Sequence, residues 1–224
     1  GDLGRYKLVI FPYPLMIPEK AAAALREYVR GGGALVSEAR LAWNNEHGRA
    51  SDTIPGLGLF EVTGCRETAV QSVPGLRTEL RWETDAIPGM KPGDRLPGQL
   101  YEETLEPAGE QARVAARFAD GSPAAVLSSF GRGKTLTLGS YLAVAYERAR
   151  DAAAERFFTG LLEWAGVERP VTVTGGPAEV RITESGGSRI LFAFNHGEKE
   201  IAPEIALAKP ARSAVDVTTG EPVR

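Results

Sequence analysis

The sequence predicts an α/β fold built on parallel strands, followed by a small antiparallel β module. A strand–helix–strand pattern spans residues 6–39, and a second amphipathic helix spans residues 151–165. Beyond residue 170 the chain consists of short runs rich in β-forming residues. We therefore expect an α/β domain over residues 1–168 and a β module over residues 170–224.

The first three elements have clear boundaries. Residues 7–11 form a continuous apolar run, which is typical of a strand covered on both faces. Pro18 lies where the first turn of a helix tolerates proline, and three glycines at residues 31–33 end that helix. Residues 34–36 predict a second strand, parallel to the first through a right-handed crossover. One apolar stripe defines the helix: Ala21, Ala24, Leu25, Tyr28 and Val29.

The remaining loops, strands and helix of the first domain are less regularly spaced along the sequence. Residues 41–64 are loop-like, and a second Pro/Gly-rich stretch spans residues 87–97. The last helix has one apolar face and ends before Gly166. Period-two patterns predict strands over residues 78–82, 98–106, 112–118, 123–129 and 134–139, the last two forming a hairpin.

The C-terminal module follows a linker at residues 168–170. A module of about 55 residues is near the lower limit for independent stability, so we expect it to pack on a neighbour. Residues 185–188, Ser-Gly-Gly-Ser, are a suitable tight hairpin connection. Its strands are predicted over residues 171–174, 178–184, 189–195, 200–206 and 213–217.

Composition sets limits on partners. The chain has 224 residues, 43% of them hydrophobic and 25% charged, and a formal net charge of −3. This charge gives no reason to expect nucleic acid or an anionic membrane as a partner. No apolar run approaches the roughly 20 residues that span a bilayer. The compartment stays open, with a slight preference for the cytoplasm.

The chemically suggestive residues have simple structural interpretations. One cysteine, Cys65, excludes an internal disulfide, and we interpret it as a buried structural thiol rather than a nucleophile. The two histidines, His47 and His196, do not have metal-ligand spacing, so no metal and no cofactor is expected. Glu102 and Glu103 are adjacent in a strand, so they point to opposite faces and cannot act as paired catalytic carboxylates.

Residues 131–135, GRGKT, are similar to the end of a phosphate-binding loop. That motif needs a glycine where Ser128 stands, and it needs a following helix. The residues that follow are TLTLG, which alternate like a strand. We therefore predict a hairpin turn instead of a nucleotide site.

A polar and aromatic cluster follows the second strand. Arg40, Trp43, Asn44 and Glu46 lie past its carboxyl end, where open α/β sheets bind ligands. An aromatic ring beside amide and carboxylate groups suits either a sugar or a partner's surface. The simpler interpretation is a solvent-exposed loop in which Trp43 packs down as an anchor.

The opening strand–helix–strand unit resembles that of class I glutamine amidotransferase-like domains, which have a flavodoxin-like parallel sheet. Those domains carry a reactive cysteine immediately after the second strand. This chain has Ser37, Glu38, Ala39 and Arg40 at that corner and no thiol. The resemblance therefore implies the fold without its nucleophile.

The order of segments further resembles the middle and C-terminal domains of family 42 glycoside hydrolases, which are β-galactosidases. The resemblance covers nearly the whole chain. Its structural stretches are YKLVIFPYPLMIPEKAAAALREYVRGGGALVSEARLAWNNEHGRAS, IPGLGLFEVTGCRE, FADGSPAAVLSSFGRGKTLTLGSYL, AGVERPV, LFAFNHGEKE and VDVTTGEPV. In that family the middle region is the β-galactosidase trimerisation domain, and it normally has a strand and a helix before the segment at Tyr6. We therefore expect the domain to be truncated at its N-terminus.

The resemblance implies an accessory role. The family's two catalytic glutamates lie on a (β/α)₈ barrel that this chain is too short to contain, so no catalytic residue is carried over. We expect a non-catalytic region of a β-galactosidase-type glycoside hydrolase that forms a homo-oligomer, a trimer, and walls the barrel's active site. Arg40, Trp43, Asn44 and Glu46 are the expected contact residues.

Two alternatives stay open. The first is a carbohydrate-binding module, in which Trp43 and its polar neighbours bind a sugar such as a galactoside. The second is an amidotransferase-like hydrolase that uses Ser37 as its nucleophile. Its base would have to be His47 or His196, which lie in different predicted domains.

Overall fold

The computed structural model of the protein describes residues 2–223. These residues fall into two compact units, divided between Val167 and Glu168. The first unit contains four α-helices: α1 (Glu19–Arg30), α2 (Leu59–Thr63), α3 (Leu142–Ala149) and α4 (Ala152–Trp164). It also contains seven strands: β1 (Leu8–Phe11), β2 (Ala34–Ser37), β3 (Cys65–Trp82), β4 (Arg95–Pro107), β5 (Arg113–Arg117), β6 (Pro123–Phe130) and β7 (Gly133–Leu138).

The seven strands form one mixed sheet in the order β1-β2-β7-β6-β5-β3-β4. β2 runs parallel to both β1 and β7, and the remaining neighbours are antiparallel. The α/β class is confirmed, with the parallel part restricted to three strands. The predicted hairpin is also confirmed, because residues 131–132 connect β6 to β7 as a tight turn.

Helices cover both faces of the sheet. On one face Leu35 packs with Val29 of α1 and with Leu59 of α2. On the other face Val36 packs in a cluster with Phe157 of α4. Side chains of successive strand residues point to opposite faces, so β2 is buried on both sides and positions its carboxyl end rigidly.

The first strand differs from its prediction. β1 was expected to be covered on both faces, but it is the edge strand of the sheet, and Ile10 is 36% exposed. Its only strand neighbour within residues 2–223 is β2. An apolar run indicates a strand, but it does not distinguish a central strand from an edge strand.

Three further elements were missed or shortened. The predicted loop over residues 41–64 contains α2, which has only five residues between the left-handed Gly58 and Gly64 and so shows no helical stripe. Helix α3 was not predicted at all. β3 begins at Cys65 instead of residue 78 and contains an irregularity between Ser72 and Arg77.

The second unit consists of two two-stranded antiparallel sheets. β9 (Ala178–Ser185) pairs with β10 (Ser188–Asn195), and the predicted hairpin between them is confirmed. β8 (Val171–Thr174) pairs with β11 (Glu204–Leu207), which begins four residues later than predicted. The strand predicted over residues 213–217 is wrong, because only an isolated bridge between Val215 and Pro222 occurs there. No residue described in this unit is buried, in keeping with its small size.

Candidate functional site

The candidate site lies at the carboxyl ends of β2 and β7. Ser37 ends β2, Glu38 and Ala39 follow it, and all three residues are buried. Tyr141 follows β7, and its ring lies 4.8 Å from the ring of Tyr13, which follows β1. β4 reaches the same region, because the Glu103 amide donates to Gly139 O at 2.8 Å. Open α/β sheets bind ligands at this edge.

Arg40 forms the corner of the site. Its φ of 61° lies in the left-handed region, which is uncommon for a residue with a side chain. Its amide nitrogen donates to Glu103 Oε2 at 2.7 Å, and its Nε donates to Glu67 Oε2 at 3.0 Å. The guanidinium also stacks on the Trp43 ring at 3.9 Å from the ring centre. Arg40 is thus held by three contacts within the unit.

The loop that carries the other predicted contact residues is held in place by the chain around it. Asn44 donates its amide to Leu15 O and accepts at its carbonyl from the Ile17 amide. Glu46 Oε2 accepts from the Glu19 amide at 2.9 Å. This contact caps α1 from outside, because Pro18 at the N-cap position has no capping side chain.

The structure therefore brings together only part of the predicted set. Arg40 and Trp43 are in direct contact, whereas Asn44 contacts the segment before α1 and Glu46 contacts the first residue of α1. Trp43 is half-buried, and one side of its ring is occupied by the guanidinium. Glu46 is exposed, and hydrogen bonds from the amides of Glu46 and Glu19 lower its pKa.

Sequence analysis did not select the most unusual groups of the site, the carboxyls of Glu38 and Glu103. Each side chain is 1% exposed. Glu38 Oε1 accepts from the amide of Ala143 at 2.6 Å, and Glu103 Oε2 accepts from the amide of Arg40. We call these two residues the carboxyl pair. Glu38 was visible at the end of a buried strand, but no local signal separated Glu103 from Glu102.

Burial controls the ionisation of the carboxyl pair. Desolvation raises the pKa of Glu38 to about 7, against the opposing effect of hydrogen bonds from backbone amides. Desolvation also raises the pKa of Glu103 well above its usual value, and the neighbouring carboxylate of Glu67 adds to this effect. The pKa of Tyr141 is raised as well, first by burial and then by nearby acidic groups.

The geometry offers little support for a nucleophile at this site. Ser37 is fully buried, and its Oγ has no hydrogen-bond partner among residues 2–223. Nothing described there withdraws a proton from that hydroxyl, as nucleophilic catalysis requires. Cys65 is buried as predicted, and burial raises the pKa of its thiol to about 12, which keeps it protonated and unreactive.

Within residues 2–223, no group of three or more His, Cys, Asp or Glu side chains is arranged to hold a metal ion. None of the helices described combines the length and apolar character needed to cross a membrane.

The fold and the corner at Arg40 define a class: an α/β domain with a flavodoxin-like parallel core and no cysteine at its corner. The family comparison is more specific. The profile of the β-galactosidase trimerisation domain matches residues 1–168, and the chain belongs to that family. Comparison with curated protein sequences finds no match.

Solved structures share the fold. The β-galactosidase from Bacillus circulans sp. alkalophilus is similar over 100% of this chain and 31% of its own, with 24% identity and a TM-score of 0.81. A catalytic mutant of a GH42 β-galactosidase from G. stearothermophilus is similar over 99% of this chain and 30% of its own, with 21% identity and a TM-score of 0.77. The β-galactosidase from Rahnella sp. R3 is similar over 88% and 28%, with 21% identity and a TM-score of 0.73. This chain thus spans less than a third of each enzyme.

Proposed function

We propose that this chain is a non-catalytic accessory region of a β-galactosidase-type glycoside hydrolase. Its roles are to form contacts between copies of the protein, as a trimer, and to help wall the active site of a catalytic barrel. Membership of the trimerisation domain family supports the first role. The position of Arg40 and Trp43 at the carboxyl edge of the sheet supports the second.

One observation carries the proposal. Of the five exposed large hydrophobic residues described in the first unit, four lie within residues 6–16, on the edge strand and the segments that flank it. They are Tyr6 at 60% exposed, Ile10 at 36%, Tyr13 at 55% and Met16 at 55%. Clustered exposed apolar side chains mark an interaction surface, because burying them on association removes apolar area from water.

The predicted contact loop extends this surface. Met16 and Asn44 form a parallel β-bridge, and Trp43 precedes Asn44 in the chain. We call Tyr6, Ile10, Tyr13, Met16, Trp43 and Asn44 together the edge surface. Arg40 and Glu46 support this surface. The Arg40 guanidinium stacks on the Trp43 ring, and Glu46 accepts a hydrogen bond from the first residue of α1.

Symmetry restricts how the edge surface is used in a trimer. If β1 paired with β1 of another copy in antiparallel fashion, the contact would be two-fold and would give a dimer. A closed ring of three needs two different surfaces that meet between neighbours. We therefore propose that the edge surface meets a different face of the next copy.

Sedimentation velocity of the full chain tests this proposal. The wild type should sediment as a trimer, and Ile10→Lys and Tyr13→Lys should shift it to the monomer, because a buried lysine is costly to desolvate. Leu76→Lys is the matched control, since Leu76 is 44% exposed but lies in β3, outside the edge surface. A wild type that stays monomeric, or an equal effect of Leu76→Lys, would contradict the proposed interface.

A second experiment tests the symmetry. Cys65 is buried, so an Ile10→Cys variant carries a single accessible thiol. In a ring of three that uses two different surfaces, two introduced thiols do not meet, and mild oxidation should leave the chain uncrosslinked. Efficient formation of a disulfide-linked dimer would indicate a two-fold contact and refute the ring.

The walling role needs the parent enzyme. There, Trp43→Ala should raise KM for a galactoside more than it lowers kcat, because the residue would position substrate and not react with it. The carbohydrate-binding alternative predicts saturable quenching of tryptophan fluorescence when the isolated chain is titrated with galactosides. Trp43→Phe should abolish that quenching if Trp43 binds the sugar.

A further inference from the structure

Five buried oxygen atoms at the candidate site have no hydrogen-bond partner among residues 2–223. They belong to Ser37, Thr137, Tyr141 and the two members of the carboxyl pair, Glu38 and Glu103. Ser37 and Thr137 are register partners on β2 and β7. Buried polar atoms are normally paired, so a concentration of unpaired oxygens in one region requires an explanation.

Protonation of the carboxyl pair lowers the cost of this arrangement, because a neutral carboxyl is much less costly to bury than an ionised carboxylate. An ionised carboxylate only accepts hydrogen bonds, whereas a neutral carboxyl also donates one. Both unpaired carboxyl oxygens are buried, so neither receives a hydrogen bond from the described residues that would offset the cost of a negative charge. Each carboxyl keeps its other oxygen for a backbone amide, either of Ala143 or of Arg40.

The surrounding charges favour the same state. Glu38 is faced by the backbone of Tyr13 and by the phenol of Tyr141, neither of which is a cation. Glu103 is faced by Tyr141, Cys65, Glu67 and Arg40. The guanidinium of Arg40 is already paired with Glu67 at 3.0 Å. The Arg40 charge therefore lowers the pKa of Glu103 less than burial raises it, and no cation among the described residues acts on Glu38.

The carboxyl pair also holds the base of the edge surface. Glu103 fixes the left-handed corner at Arg40, whose guanidinium stacks on Trp43. Glu38 caps the start of α3, because Tyr141 at the N-cap position provides no side-chain cap. The ring of Tyr141 in turn lies against the ring of Tyr13. Two aromatic residues of the edge surface are thus supported by elements that the carboxyl pair fixes.

We propose that the carboxyl pair is a pH-sensitive switch: neutral, it keeps the corner closed, and its ionisation as the pH rises opens the corner and weakens the edge surface. The first part stands on the buried geometry alone. The second part, regulation of association, rests on the proposed function. The direction follows from hydration, because ionised carboxylates are stabilised by water in the open state and by no counter-charge in the closed state.

Hydrogen exchange of the full chain, followed by NMR, tests the switch. The amides of Arg40 and Ala143 donate to the pair, so their protection reports whether the corner is closed. A Glu38 pKa of about 7 in the closed state and 4.5 in the open state predicts that protection falls about 30-fold between pH 5.5 and 8.5. The amide of Leu136, in the middle of the sheet, should not change in this way.

Variants separate the switch from general effects of pH. Glu38→Gln combined with Glu103→Gln should make the protection of both amides independent of pH, because a glutamine side chain does not titrate. Glu102→Gln is the matched control, since Glu102 is the more exposed neighbour on the same strand, and it should retain the wild-type dependence. Persistence of the full dependence in the double variant would overturn the switch, as would wild-type protection that is constant with pH.

Two further measurements give distinct outcomes. If Mg²⁺ or Ca²⁺ restores protection at pH 8.5, the carboxylates ligate a cation instead of holding protons, and the proposal is wrong. Sedimentation at the same two pH values tests regulation: the trimer should weaken at pH 8.5 in the wild type but not in the double variant. A chain that is monomeric at both pH values would contradict the proposed function. The hydrogen exchange of the Arg40 and Ala143 amides would still test the switch independently.

Discussion

Replacing Glu38 by glutamine should remove a pH dependence from the stability of the first unit. Glutamine has nearly the same size and keeps a carbonyl oxygen to accept from the Ala143 amide. Its NH₂ group takes the place of the carboxyl proton as a donor. The variant therefore keeps the closed geometry and loses only the ability to ionise.

The magnitude follows from the pKa of Glu38. Because its pKa is about 7 in the folded chain and 4.5 when unfolded, the folded state retains a proton that the unfolded state has lost. The stabilising effect of this proton is complete below pH 4.5 and is lost as the pH rises through 7. Between pH 5.5 and 8.5 the loss in unfolding free energy is about 2 kcal/mol.

Urea denaturation followed by tryptophan fluorescence measures this loss in the unit concerned. All three tryptophans, Trp43, Trp82 and Trp164, lie in the first unit, so the signal does not report the second unit. Carboxyls whose pKa is lowered, such as Asp120, lose stability only at lower pH and do not interfere. Wild type should lose about 2 kcal/mol more than Glu38→Gln over this range.

Two outcomes would contradict the expected behaviour of Glu38→Gln. If wild type and Glu38→Gln lose the same unfolding free energy between pH 5.5 and 8.5, then Glu38 is not held neutral by burial. A variant less stable than wild type at both pH values by a constant amount would mean that glutamine disrupts the cap of α3. Glu102→Gln provides the comparison, because it removes a more exposed carboxylate from β4 of the same unit.

Three other predictions concern the scaffold. Cys65 should react with a thiol reagent about a thousandfold more slowly in the native chain than in urea, because its pKa rises from 9.0 to about 12; rapid labelling of the native chain would contradict its burial. Asp151→Ala should cost about 1 kcal/mol, because Asp151 caps α4 through the amides of Ala153 and Ala154; Asp151→Asn should cost little, and equal losses would argue against the cap. Gly133→Ala should lower the unfolding free energy by about 1–3 kcal/mol, because a Cβ there would lie 2.0 Å from Val29 O. The control is Gly4→Ala, whose Cβ would meet only the Asp2 side chain and should have little effect. If Gly133→Ala had as little effect as Gly4→Ala, the backbone around Gly133 would have moved to accommodate the Cβ.

Elements with a strong local pattern were predictable. α1 and α4 combine an apolar stripe with a Gly or Asp boundary, and both helices occur where the sequence places them. α2 and the first thirteen residues of β3 were missed, because a five-residue helix has no measurable period and an exposed ribbon has no buried face.

The candidate site was predictable only in part. A polar and aromatic loop after β2 follows from the topology of parallel sheets, so Arg40 and Trp43 could be selected. The ion pair between Arg40 and Glu67 could not be predicted, because the two residues are 27 positions apart in the sequence and only the fold brings them together. The same holds for Glu38 and Ala143, which are separated by 105 positions.

The sequence by itself determined the α/β class, the positions of the main helices and the absence of a cysteine at the corner after β2. These properties depend on residue type and on spacing within a few turns of chain. The tertiary structure alone decided that β1 is an edge strand among the described residues and that both members of the carboxyl pair are buried. Strand order and burial depend on contacts between distant segments, and such contacts raise the pKa of Glu38 to about 7 and raise the pKa of Glu103 well above its usual value.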